Sequence, residues 1–95
     1  MRPWTFLTNH AHVLLCISKD PTVRLKDVAL AVGITERAIQ RIVADLVAAG
    51  YVVIAKEGRR NHYRVNSRLK FRHPIERENQ VGVLLQLLTP RLPSS

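Results

Sequence analysis

A single cysteine, Cys16, in 95 residues rules out an internal disulfide. Its place in the apolar run Val13-Leu14-Leu15-Cys16-Ile17 makes it a small packed side chain rather than a reactive thiol. Aromatic residues are also scarce, at 5%, so the core has to be built from Val, Leu, Ile and Ala instead of large rings. No apolar run approaches the roughly 20 residues that a membrane-spanning helix needs. The longest, at residues 81–88, is interrupted by Gly82 and Gln86. The start, Met1-Arg2-Pro3-Trp4-Thr5-Phe6-Leu7, has neither a long apolar centre nor a small-residue cleavage pattern, so no secretory signal and a cytoplasmic location are expected. His10, His12, His62 and His73 form no compact cluster with cysteine or acids, which argues against a metal site or other cofactor. Glu76 and Glu78 are not made a catalytic pair by being acidic and close in sequence, and no enzymatic activity is expected. There is no internal repeat, no low-complexity segment and no room for a second domain.

What the chain has in excess is positive charge. The formal net charge is +8, and it is uneven: residues 1–50 carry six Lys/Arg against four Asp/Glu, residues 51–95 nine against three. Seven Lys/Arg and one Glu fall between Lys56 and Arg72, interleaved with Tyr63, Val65, Leu69 and Phe71, groups that can anchor the charges to a folded surface. Such a field favours a polyanion, although charge alone does not separate DNA from RNA, an acidic protein or an anionic membrane.

Periodicity supplies the framework. A first helix is expected from Asn9 to Lys19, capped by Thr8 and ended by Asp20-Pro21, with Leu14 and Ile17 facing inward. Arg24-Leu25 is a candidate for a minimal third strand. Leu25, Val28, Ala29 and Val32 share one side of a short second helix, Gly33 allows a tight turn, and Thr35 is suited to cap the next helix. That third helix, from Glu36 to Ala49, repeats Ile39, Ile42, Val43, Leu46 and Val47 at helical spacing and stops at Gly50. Residues 51–55 and 61–65 read as two strands joined by the loop Lys56-Glu57-Gly58-Arg59-Arg60-Asn61, with Arg59 and Arg60 at its tip. Pro74 is placed to open a final helix that reaches Leu88, and residues 89–95 to form a loose tail.

The third helix leaves Glu36, Arg37, Gln40, Arg41 and the small Ala44 on its outer side. A helix fits the major groove, where Arg and Gln tell bases apart by their donor and acceptor patterns. Arg37 and Gln40 are therefore candidates for base edges, Arg41 for a base or a phosphate, and Glu36 for a cytosine amino group or simply the positive helix end. The amides around Thr35 and Glu36 can donate to phosphate. From the hairpin, Arg59 or Arg60 can enter a narrow minor groove, with Lys56, Asn61, His62 and Arg64 on the backbone.

In this order, the run from Leu25 to Leu46, Ala49-Gly50-Tyr51 and the basic hairpin resemble the winged helix-turn-helix transcriptional regulators, especially the MarR/ArsR-like group of bacteria and archaea. Ala29 matches the small residue where the two motif helices cross, Gly33 the turn glycine, and Ile39 and Ile42 the buried anchors. The resemblance implies a repressor or activator on operator DNA, often a homodimer and hence often a palindromic site. The chain lacks the longer helical frame of many MarR-type proteins, so no effector pocket is carried over.

The expected fold class is thus α+β: a mostly helical winged helix-turn-helix at residues 8–73, with a small antiparallel β-hairpin, followed by a C-terminal dimerisation helix at 74–88 packed with the N-terminal segment 1–7. Trp4, Phe6, Leu7, Val81, Leu84, Leu85 and Leu88 are the expected dimer interface, because that apolar surface is wider than a small monomer can cover. The competing reading is a winged-helix protein adaptor or an RNA-binding module.

Overall fold

The computed structural model describes residues 4–88; the expected tail at 89–95 and the first three residues lie outside them. Four helices and one hairpin follow in the order α1 (Asn9–Lys19), α2 (Leu25–Val32), α3 (Glu36–Ala48), β1 (Val52–Glu57), β2 (Arg60–Val65) and α4 (Val81–Leu88). The fold is mostly helical with a small antiparallel hairpin, as the periodicity predicts.

Local chemistry sets the helix ends. The Thr8 hydroxyl oxygen accepts from the Ala11 amide at 3.3 Å and that of Thr35 from the Ala38 amide at 3.1 Å, each satisfying a first-turn donor that a helix leaves free. Gly33 ends α2 in the left-handed conformation, φ 89°, where a β-carbon would be strained. The Gly33 and Ile34 amides both return to the Ala29 carbonyl, so the turn between α2 and α3 is closed by its own backbone.

One core joins all four helices to the hairpin. Val13, Leu14 and Ile17 of α1, Val28 and Ala29 of α2, and Ile39, Ile42, Val43 and Leu46 of α3 meet Val52, Tyr63, Val81 and Leu85. Ile17 and Ile39 are fully buried, and truncating either to alanine would cost about 2–5 kcal/mol by the usual cavity penalty. Cys16 packs against this core. Burial pushes its thiol up, with Lys19 pulling the other way, which favours the protonated sulfur at neutral pH.

Three expectations need correction. Arg24-Leu25 is not a strand: the sheet among the described residues has two strands, and Arg24 is the N-cap of α2. A single bond at this place, from the Tyr63 amide to the Pro21 carbonyl at 2.8 Å, ties the hairpin to the loop before α2. The final helix starts at Val81, not Pro74. Ile75 is the one apolar side chain between Pro74 and Gln80 and it is exposed, so this stretch has no apolar stripe to pack a helix. Its backbone bonds outward instead, the Phe71 amide to the Asn79 carbonyl and the Val81 amide to the Leu69 carbonyl, with a bridge between Lys70 and Gln80.

The third correction concerns α4 itself. Val81 and Leu85, expected to face a partner, are 3% and 5% exposed in the chain's own core, because the helix docks on α1 and on the turn after β2. Trp4 and Phe6 do not cover it within the chain: they are 75% and 91% exposed and stack edge-to-face on each other at 4.8 Å. Gly82 explains how close the docking is. Its amide donates to the Ser67 carbonyl at 2.8 Å, and a β-carbon at this position would lie 2.8 Å from that oxygen. Gly82→Ala should therefore lower the unfolding free energy by roughly 1–3 kcal/mol, the usual cost of overpacking. Urea denaturation of the two proteins measures it, and an unchanged midpoint would mean that the turn yields freely.

Candidate nucleic-acid interface

The exposed side of α3 carries Glu36, Arg37, Gln40, Arg41 and Ala44, while Ile39, Ile42, Val43 and Leu46 hold the opposite side in the core. Spacings of three and four residues align Arg37, Gln40, Arg41 and Ala44 in one stripe along the helix. None of these side chains makes an ion pair among the described residues, where the one such contact is His10 with Asp45. The stripe is anchored from behind, so its guanidinium and amide groups start from a fixed backbone.

The hairpin stands beside the start of this helix. Register pairs Val52 with Val65, Ile54 with Tyr63, Lys56 with Asn61 and Glu57 with Arg60. Only Gly58 and Arg59 remain for the turn, so the loop is tighter than the six residues expected from sequence. Arg59 is at the tip, whereas Arg60 is the first residue of β2. Strand alternation then divides the wing. Lys56, Asn61 and Tyr63 share the face turned to the helices, and His62 and Arg64 the other; Arg60 alternates with the latter but, as the first residue of β2 beside the turn, still reaches the cleft on the helix side.

Between the wing, residues 22–25 at the entry to α2 and the first residue of α3 lies an open cleft of about 450 Å³. It gathers Glu36, Lys56, Arg59, Arg60 and Asn61, all expected from sequence, and adds Thr22 and Arg24. Four basic residues thus surround one acid. Arg24 is not legible in the sequence as a cleft residue because its short segment reads as a strand. The available signal was its place directly before a helix start, which turns it toward the same space as Glu36. Thr35, the cap of α3, and Arg37, Gln40 and Arg41 on the helix lie outside this cleft, and two of the expected wing residues are not brought in either: His62 is half-buried opposite Ala55, and Arg64 is exposed opposite Val53, four residues along β2 from Arg60 and roughly 13 Å away at strand rise. Thr35 is at the mouth of the helix as its cap, so its hydroxyl oxygen is engaged while the Glu36 and Arg37 amides keep the free first-turn geometry.

The arrangement can take a polyanion in two ways at once. Cationic groups in the cleft can neutralise a phosphate strand, and the α3 stripe can project beyond it. Among the described residues no group of three or more His, Cys, Asp or Glu side chains is placed to hold a metal ion, and no helix is long and apolar enough to cross a membrane.

Residues 8–53 match the family model of winged helix-turn-helix DNA-binding domains. A winged helix-turn-helix domain is therefore present; the match takes in α1, α2 and α3 and ends at the start of β1, with the rest of the hairpin following it. No curated protein matches the chain significantly.

Proposed function

We propose that this protein is a sequence-specific duplex DNA-binding transcriptional regulator of the MarR/ArsR-like kind, acting as a homodimer. α3 enters the major groove, where Arg37 and Gln40 read base edges and Arg41 takes a base or phosphate; Thr35 and Glu36 sit at the helix start, with the Glu36 amide toward phosphate. Lys56, Arg59, Arg60 and Asn61 hold the flanking backbone or minor groove, and Arg24 joins them. The observation that carries this reading is the adjacency of the unpaired α3 stripe to a cleft with four basic residues. A protein adaptor has no need of both. Titrating duplex DNA and duplex RNA of one sequence at several salt concentrations tests it. DNA should bind with a steep salt dependence, and RNA more weakly because its deep, narrow major groove excludes a helix. Equal binding of both duplexes would reject the assignment.

The dimer surface in this reading consists of the side chains that α4 leaves uncovered, Val83, Leu84, Leu87 and Leu88, together with Trp4 and Phe6, and with Leu7 at the edge. Pairing would bring two winged units to a palindromic operator and add avidity. Truncation after Arg72 is a poor test because it strips Val81 and Leu85 from the core. Leu87→Glu alters a side chain that is 75% exposed and should give a folded monomer in sedimentation. A dimer that survives this change would place the interface elsewhere, with the N-terminal arm or α1 the next candidates.

A further inference from the structure

A second cleft, of about 560 Å³, opens at the C-terminal end of α3, beyond the last turn of the stripe, between α1 and the segment that leads into α4. Its floor is apolar, formed by Leu14, Leu46, Phe71 and Leu84 among others. Its size falls within the range of roughly 300–1,000 Å³ typical of small-molecule sites. The proposed DNA contacts make no use of it, and the proposed dimer surface adjoins it only at Leu84.

The rim carries an unusual balance of charge. His10 and Asp45 satisfy each other, Nε2 to Oδ2 at 2.9 Å, which removes one acid and one imidazole from the account. That leaves Arg72 and Glu76, which line the same cleft yet form no ion pair with each other or with any described residue. His73 adds a donor of fixed direction. The Ile75 amide donates to its Nδ1 at 3.1 Å, so the neutral ring carries its proton on Nε2.

We propose that this cleft binds a free α-amino acid with a large apolar side chain. The carboxylate would meet Arg72 and the Nε2–H of His73, the ammonium would meet Glu76, and the side chain would cover the apolar floor. A simple carboxylic acid would leave Glu76 facing an added negative charge, and a simple amine would do the same to Arg72 with a positive one. A zwitterion complements both. The occupant would touch Asp45, Leu46 and Ala49 of α3 without covering Arg37, Gln40 or Arg41, so the site is separate from the polyanion surface.

Calorimetry on the full chain, without any nucleic acid, tests the proposal with phenylalanine, phenylalaninamide and 3-phenylpropanoate, and with leucine and its amide. The intact amino acids should bind at least tenfold more tightly than the analogues that lack one charge, since hydrogen bonds to a charged group contribute on that scale. Arg72→Gln should abolish the preference for phenylalanine over its amide and leave the preference over 3-phenylpropanoate. Glu76→Gln should do the reverse. Both side chains are exposed, and circular dichroism checks that the variants fold. Absence of binding by the intact protein at millimolar amino acid, or the same preferences in both variants, would overturn the assignment.

Discussion

Replacing Arg59 and Arg60 together by alanine is expected to weaken binding to every duplex, specific and nonspecific alike, and to flatten the salt dependence. Each phosphate contact releases condensed counterions, so each one lost should lower the log-log salt slope by roughly 1. The structure separates the two residues. Arg59 is in the two-residue turn at the wing tip, and Arg60 opens β2 opposite Glu57, yet both line the cleft with Lys56 and Arg24. A minor-groove role belongs to the tip, so Arg59→Ala alone should do most damage on duplexes with A·T-rich, narrow flanks, whereas Arg60→Ala alone should be indifferent to flank sequence. Neither substitution removes a core contact, since both side chains are exposed, and the folded fraction should not change. Paired A·T-rich and G·C-rich duplexes, each titrated at several salt concentrations, resolve these effects. Unchanged affinity and slope would make the two arginines ordinary solubilising residues.

The second large effect concerns discrimination rather than strength. Arg37→Ala or Gln40→Ala should reduce the preference for the selected operator over mismatched duplex by roughly 1–3 kcal/mol, about 5- to 150-fold, while nonspecific binding changes less. The expectation follows from the position of both residues in the first two turns of α3, exposed and free of ion pairs. Competition titrations with single-mismatch duplexes measure it. Equal losses on all duplexes would make the pair phosphate anchors instead.

The parts that could be read from the sequence are those in which local chemistry and tertiary packing agree. Thr8, Gly33 and Thr35 act through their own backbone neighbourhoods, and the 3.6-residue spacing of Ile39, Ile42, Val43 and Leu46 is enough to fix which side of α3 faces outward. That Arg37, Gln40 and Arg41 are exposed is legible for that reason. The failures lie where long-range contacts decide. Pro74 is a good first-turn residue, but the segment after it bonds to residues 69–71 and has nothing apolar to bury. In α4 the sequence is apolar nearly all round, so periodicity alone does not say that Val81 and Leu85 turn inward while Val83 and Leu87 remain outside. In the sequence Gly82 reads as an interruption of an apolar run; in the fold it is the point at which the helix touches the Ser67 carbonyl. Arg24 and the second cleft depend on the packing of segments far apart in the chain, for which a local pattern carries no signal.

The central claim, that the α3 stripe and the wing together read a duplex, is tested most directly by selection from a random duplex library followed by a footprint on the recovered sequence. An inverted repeat should be enriched, its half-sites roughly 10 base pairs or a multiple apart if two copies bind one face of the DNA. The footprint should show major-groove protection within each half-site and wing protection beside it, both weakened at higher salt. Recovery of no common sequence at any salt concentration, from protein shown to be folded, would contradict the account and favour a protein-binding role for the winged domain.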